Sequence, residues 1–576
     1  MTQQNPRPWL WIVLGFFVSA NVWAVTLVKQ GWRPIGDEAA IAKISAGILQ
    51  GDFPWLGMRS TGFSELPGLQ LYHPGPIQFY VLSLGQAVAD FHPLGMLTAS
   101  ALLFSIVVLL GLRGAWQAGK WWGLIPATVS FAALAFISQD VLVQIINTQP
   151  SRTAIPAAVM TAWAVACGRK NAWYPFIFTA SVAAQTQVGA LPVILILTAT
   201  LLFLLWRNGV PLPPKRTLLL SGLLFVVLWL GPILDIVFGQ PSNFTEFMRY
   251  ITHDRQSEQL ITAEQRAAGR NLLWTVPLSL LVSWLITRRA SAAVRPGLAN
   301  TLAVGLQLSA PIVVFISYQL LTQTSVARRV QASFGMGVTY FMVSLTLLTL
   351  IAWTYQSVID NKSEPLKPLT FGVGLVVLCT LAAQRTEVRL EALSLLAVLV
   401  LVSAVGITGI TLAIDSLSLP RVAVVGLSIS MGLVWILGFT DPQPSHEGSL
   451  ETSPETTRLT DKISSWVQET ASDLPVEIRS SRNWNIGLYL GPTLDYELTT
   501  QDRETHFVHP WTFEKDHKNP GIDVPDGERI LLVLESPKGF DAATKHLKGE
   551  VLRRETLETN ILNDGEIIEV LMLHKR

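Results

Sequence analysis

Residues 9–28 read WLWIVLGFFVSANVWAVTLV, with only Arg7 charged ahead of them. A bilayer core takes about 20 consecutive apolar residues in helical form, so this run is long enough to cross a membrane by itself. A small-residue site near Ala24 imitates a cleavable leader, but the apolar stretch is long for one and more apolar runs follow, so it reads as an uncleaved anchor. The composition of the 576 residues agrees, with 50% hydrophobic, 14% charged and a mean hydropathy of +0.41. Soluble domains carry about 25% charged residues. Positions 441–576 hold 15 basic and 25 acidic residues, whereas 1–440 hold 27 and 16. The chain is therefore an apolar, net basic body followed by an acidic, water-soluble tail. This composition excludes collagen-like, disordered and disulfide-rich classes, and nucleic-acid binding has no basic patch to rest on. Both cysteines, Cys167 and Cys379, lie in apolar runs and read as small core residues.

Working outward from the first run, further apolar segments fall at about 75–91, 94–112, 121–138, 153–168, 172–188, 190–206, 217–238, 271–287, 298–321, 333–353, 369–384, 390–413 and 419–438. The loops holding Arg207, Lys215, Arg216 and Arg288, Arg289, Arg295 read as cytoplasmic by the positive-inside tendency. Counting from them puts the amino terminus inside, and the loop of about 29–74 and the acidic tail outside. Those ends need an odd number of crossings, so either 75–112 or 172–206 is one broken passage; the first choice puts Arg113, Lys120, Arg169 and Lys170 in the cytoplasm and obeys the charge rule better, and the total is about thirteen. The expected architecture is an α-helical polytopic membrane domain over 1–440, a Pro/Ser/Glu/Thr-rich linker over 441–457 and an extracytoplasmic α/β or α+β domain over 458–576. Within the tail, helices are expected at Arg458–Ala471 and Ala542–Leu552, strands at Val476–Ser480, Arg529–Leu534 and Glu566–Leu573, and an extended stretch at Asn485–Leu498.

The first outer loop opens with Gly36-Asp37-Glu38-Ala39-Ala40-Ile41-Ala42 and closes with Leu71-Tyr72-His73-Pro74-Gly75-Pro76-Ile77. A carboxylate at the membrane surface suits removal of a proton from an acceptor hydroxyl. Asp37 and Glu38 equally suit the start of an amphipathic helix with the apolar stripe Ala40, Ile41, Ile44 and Ile48, where acids meet the positive end of the helix dipole. Pro74 and Pro76 suit a helix start. Both readings of the acids stay open on the residues alone.

An Asp-Glu pair after the first membrane helix, a long outer loop with an amphipathic helix, a His-Pro-Gly-Pro approach to the next span, about thirteen spans and an outer α/β tail resemble the GT-C superfamily of integral membrane glycosyltransferases. The likeness is to the bacterial, actinobacterial-type branch related to mannosyl- and arabinofuranosyltransferases. At the level of sequence it is confined to about residues 30–80. The resemblance implies an enzyme of the bacterial plasma membrane. It would move a sugar, arabinofuranose or mannose, from a polyprenyl-phosphate donor to a cell-envelope glycan or glycolipid by inverting displacement, with a first-loop acid as base. Asp37 is the matching position, and Glu38 is the second catalytic candidate. Some members hold a divalent cation between acids of two outer loops. Here Ser138-Gln139-Asp140 and Asn147-Thr148-Gln149-Pro150-Ser151-Arg152-Thr153 supply no clear second acidic cluster, so metal ligands are left unassigned.

A lipid-phosphate donor needs cations near the outer surface. The candidates are Arg59, Arg249, His253, Arg255, Arg266, Arg270 and the pair Arg328 and Arg329. His73 is a further substrate contact or a packed residue at the helix start. Most of the 19 tryptophans anchor span ends at the lipid interface, and Trp32 and Trp55 in the first loop are the two placed to stack on a sugar. The competing reading, a transporter or flippase of lipid-linked sugars, calls for paired half-repeats and mid-membrane charges. Neither is evident.

Overall fold

The computed structural model describes residues 7–60, 71–137, 139–252, 296–322, 337–338, 341–342, 344–345, 453–470, 474–480, 490–501, 503–508, 528–545, 547–559 and 566–575. The spans expected at 271–287, 369–384, 390–413 and 419–438 lie outside these residues, as do most of 333–353 and the linker before Ser453.

The opening apolar run forms α1 (Pro8–Lys29), which Pro8 can start because the first turn has no amide donor to lose. Its Phe16, Ala20, Trp23, Ala24 and Leu27 are buried, while Leu10, Trp11, Leu14, Val18, Val22 and Val25 stay exposed as an apolar stripe. An apolar surface of that length fits lipid better than water. The buried face meets α4 (Pro93–Gly119), with Phe16 and Phe104 edge to face at 6.0 Å. Between them lie α2 (Asp37–Gln50) and α3 (Ile77–Val88). Twelve residues give α3 about 18 Å, too short to cross a bilayer alone, whereas the 27 residues of α4 span about 40 Å. The region taken as one broken passage is thus a short helix, a turn with Asp90 and Phe91 at positive φ, and one long helix.

Next come α5 (Trp121–Ile137), α6 (Thr148–Ala166), α7 (Trp173–Thr186) and α8 (Leu191–Arg207). Helix α6 is the centre, its residues from Thr153 to Ala166 all buried. It comes close to α4 because Gly111 and Gly114 face Ala157 and Thr161, where a Cβ would sit about 3 Å from their atoms. Small residues of this kind are how helices pack without a hydrophobic drive between them. Helix α12 (Pro296–Thr322) closes the far side, the indole of Trp163 donating to the Thr301 carbonyl at 2.7 Å.

The apolar run expected as a span at 217–238 forms two helices, α9 (Lys215–Leu228) and α10 (Leu230–Phe238), bent by 61°. Pro232 has no N–H to offer the Leu228 carbonyl, and a ring in that position kinks a helix. Helix α11 (Asn243–Thr252) follows. Among the described residues three helices are long and apolar enough to cross a membrane, or four with the bent pair counted as one.

The tail is a five-stranded mixed sheet in the order β2-β1-β3-β5-β4, built from β1 (Val476–Ser480), β2 (Thr505–Val508), β3 (Arg529–Glu535), β4 (Glu550–Thr559) and β5 (Glu566–Lys575). Strands β2, β1 and β3 are parallel, and β5 is antiparallel to β3 and β4. One face packs on α13 (Ser453–Thr470) and α14 (Gly491–Thr500) through Leu459, Ile463, Trp466, Leu494 and Leu498. The other carries α15 (Pro537–Thr544) through Phe540.

Three sequence expectations for the tail are corrected. Residues 491–498 are helical rather than extended, because Pro492 sits in the first turn and the Leu494/Leu498 spacing gives a helix a buried face. The helix expected at Ala542–Leu552 ends at Thr544, and Glu550–Thr559 is strand β4 despite its helix-forming composition, since pairing with β5 outweighs local propensity. Strand β2 was not expected. The helix at 458–471 starts at Ser453, inside the expected linker.

Candidate active site

The first loop is the hub of the structure. Its helix α2 begins after Gly36, whose φ of +58° and ψ of −121° is a conformation that glycine adopts most easily. Gly36 is the N-cap, so Asp37 and Glu38 stand inside the helix as its first two residues. A glycine cap has no side chain, and the capping role considered for Asp37 is therefore not the one it occupies. Glu38 turns into the protein, 1% exposed, while Asp37 keeps part of its surface open to solvent. No hydrogen bond or ion pair reaches the Asp37 carboxyl among the described residues. Burial raises its pKa from 3.8 to about 6, desolvation being the cause. A carboxyl near 6, partly open and not consumed by a partner, is suited to take a proton close to neutral pH.

The rest of the loop is held from several sides. Residues 57–60 and 71–73 run antiparallel, with Arg59 opposite Tyr72, the His73 N–H donating to Met58 O at 2.9 Å and the Gly57 N–H to His73 O at 2.8 Å. Arg59 is partly buried; desolvation lowers its pKa and Tyr72 opposes that. Guanidinium groups stay charged regardless. His73 is 3% exposed, accepts from the Val188 N–H on Nδ1 at 3.1 Å and is held neutral by burial, its pKa pushed down to about 3. Its neighbour Gly75 donates to the Gln185 carbonyl and lies so close to the Gln185 side chain that a Cβ would meet it at 2.4 Å.

Tyr72 and Asn243 exchange two hydrogen bonds, the Tyr72 N–H donating to Asn243 Oδ1 at 2.8 Å and Asn243 Nδ2 to Tyr72 O at 3.0 Å. Asp235 caps the same corner by accepting from the Asn243 N–H. The second loop is thereby joined to the first, and the Asn243 amide is spent inside the protein. Arg249, on α11, pairs with the buried Glu246 at 2.8 Å. The two loop tryptophans differ: Trp32 is packed into the core at 6% exposure, and Trp55 is 42% exposed beside Phe238. His253, Arg255, Arg266, Arg270, Arg328 and Arg329 lie outside the described residues. No group of three or more acidic, histidine or cysteine side chains converges among the described residues.

The tail sits directly on this loop. The Gly36 N–H donates to Thr493 Oγ1 at 3.3 Å. Lys43 Nζ donates to both carboxylate oxygens of Asp495 at 2.7 and 2.8 Å and to the Thr505 carbonyl and hydroxyl at 3.1 Å each. Arg33 pairs with Asp461 at 2.9 Å. Tyr496, 5% exposed, reaches into the apolar core beside Met96. Apart from Gly36, quoted with the Asp-Glu pair, none of these residues was singled out in the sequence, although Lys43, the one charged residue of α2 beyond its first turn, was a signal available to find one of them.

No family model and no curated protein matches this chain. Among solved structures, the crystal structure of ArnT from Cupriavidus metallidurans bound to undecaprenyl phosphate is similar at 16% identity and a TM-score of 0.47, covering 97% of this chain and 98% of that one.

Proposed function

We propose that this chain is a membrane glycosyltransferase that moves a single sugar, arabinofuranose or mannose, from a polyprenyl-phosphate donor to a glycan or glycolipid of the bacterial cell envelope. The observation that supports it is Asp37: a carboxyl at the first turn of α2, with no partner among the described residues and a pKa raised by burial to about 6. In the step inferred, Asp37 takes the proton of the acceptor hydroxyl as that oxygen bonds to the anomeric carbon. The carbon–oxygen bond to the donor phosphate breaks, its electron pair leaving with the polyprenyl phosphate, and the anomeric centre inverts. Arg59, in the same loop, is the cation proposed to meet the departing phosphate. The exposed apolar flank of α10, with Ile236, Val237 and Phe238, is suited to a lipid tail.

The experiment compares Asp37→Asn with Glu38→Gln in purified protein supplied with a radiolabelled polyprenyl-phosphate sugar. General-base catalysis is worth about 10²–10⁴-fold, and Asp37→Asn is expected to lose that much. A larger loss in Glu38→Gln would move the role to Glu38. Full transfer by both variants would overturn the mechanism, and transport of the lipid-linked sugar without transfer would favour the flippase.

A further inference from the structure

We propose that helix α14 of the tail is a positioning element for Asp37, acting through Thr493 and Asp495; this rests on the reading of Asp37 as the base and adds what holds it in place. The contacts bracket that residue. Four positions before it, Arg33 reaches Asp461. At the residue immediately before it, the Gly36 N–H is taken by Thr493. Six positions after it, Lys43 has its ammonium enclosed by Asp495 and Thr505. Beneath the same helix Tyr496 is sunk among membrane-body residues.

The chemistry of the Gly36 contact is specific. In a helix start of the capping-box type, a glutamate or glutamine side chain three residues on satisfies the N–H of the cap residue. That place in α2 is Ala39, which has nothing to offer. Thr493, 457 positions away in sequence, supplies the missing acceptor. The cap is a glycine in a conformation other residues avoid, so its geometry depends on what surrounds it. The Lys43–Asp495 pair fixes the same helix two turns further along, in a half-buried setting where a bidentate, hydrogen-bonded pair has a defined geometry. With one hold at the cap and another along the axis, neither rotation nor sliding of α2 is free. Asp37 lies between the two.

The remaining clusters of the tail do not reach this far. The buried Glu477 with Arg479 and Arg529 lies within the sheet and binds strand to strand. Among the described residues nothing beside the edge of β4 names an outside occupant, and Arg458 donates to its Glu558 carbonyl.

The test uses the full-length protein in nanodiscs and two independent readouts. Thr493→Val keeps the shape and removes the acceptor; Asp495→Asn removes the charge; Lys43→Asp combined with Asp495→Lys restores the pair with its polarity reversed. The first readout is hydrogen exchange of a peptide covering residues 33–43. Both single variants are expected to raise it, and the reversed pair to bring it back toward the parent. The second is the split between kcat and KM. A displaced base costs rate rather than binding, so kcat should fall by about 10–100-fold with acceptor KM little changed. The reversed pair should recover most of it. Unchanged exchange in Thr493→Val and Asp495→Asn would overturn the positioning role. Raised exchange with unchanged kcat would overturn it too, provided Asp37→Asn is inactive. If Asp37→Asn is itself fully active, the reading of Asp37 has failed; raised exchange would then show that α14 holds the loop, and the claim about the base would be overturned.

Discussion

The side-chain amide of Gln185 donates to the Leu228 carbonyl at 2.7 Å, and Leu228 is the residue whose ordinary helical partner, Pro232, has no N–H. A side chain of α7 therefore repairs the bond that the proline removes. The same side chain lies against Gly75, at the approach from the first loop to α3. The bend between α9 and α10 is thus coupled through one glutamine to the loop that carries Asp37.

Replacing Gln185 by leucine removes the donor to the half-buried Leu228 carbonyl and should cost about 1 kcal/mol. Gly75→Ala should do similar damage by another route, since a Cβ there meets the Gln185 side chain at 2.4–2.6 Å, along its length as well as at its tip. Thermal unfolding in detergent, followed by intrinsic fluorescence, should show both variants melting below the parent. An unchanged melting temperature for Gly75→Ala would mean that the loop has room to retreat from α7.

A base must be ionised to act. With the Asp37 carboxyl at about 6, transferase activity should climb as pH rises through 6 and level off above 7. His73 cannot supply that limb, because burial holds its pKa to about 3 and it is neutral throughout. The profile of kcat/KM in the free enzyme is the measurement. A limb near 4 would place Asp37 in a far wetter setting than the one described.

The same burial has a cost in stability. The folded state favours the protonated form of Asp37, so its contribution is present at acid pH and disappears as pH rises past about 6. Holding the ionised form at neutral pH, against an ordinary carboxyl at 3.8, costs about 3 kcal/mol at most. Asp37→Asn should therefore melt higher than the parent at pH 7.5 and show little difference at pH 4. Destabilising polar groups are common where function requires them. Equal stability at both pH values would place the carboxyl outside the buried environment.

How much of this was legible beforehand depends on distance along the chain. The membrane helices follow from apolar runs longer than a bilayer is thick, a local property, and so does the amphipathic α2 after an Asp-Glu pair. The bend at Pro232 was readable in principle from Gly231-Pro232, but a continuous apolar stretch hid it. Strand β4 was missed because Glu, Arg and Leu favour helix locally and only β5, several residues further on, makes them a strand. Thr493 and Asp495 carried no local sign at all. Their meaning arises because the tail folds back onto α2, and a contact between positions 36 and 493 leaves no trace in either neighbourhood.

That fold-back makes the topology testable as a single question. Charge counting puts the first loop and the tail outside the membrane, and the contacts from Arg33 to Asp461 and from Lys43 to Asp495 require both to lie on one side. Asp52 and Ser465 are exposed, one in the loop just after α2 and one on α13. With Cys167 and Cys379 replaced by alanine, Asp52→Cys and Ser465→Cys should each react in intact cells with a thiol reagent that does not cross membranes. Labelling of neither until the cells are opened would reverse the orientation but keep the docking. Labelling of one alone would break it, and with it the placement of α14 over Asp37.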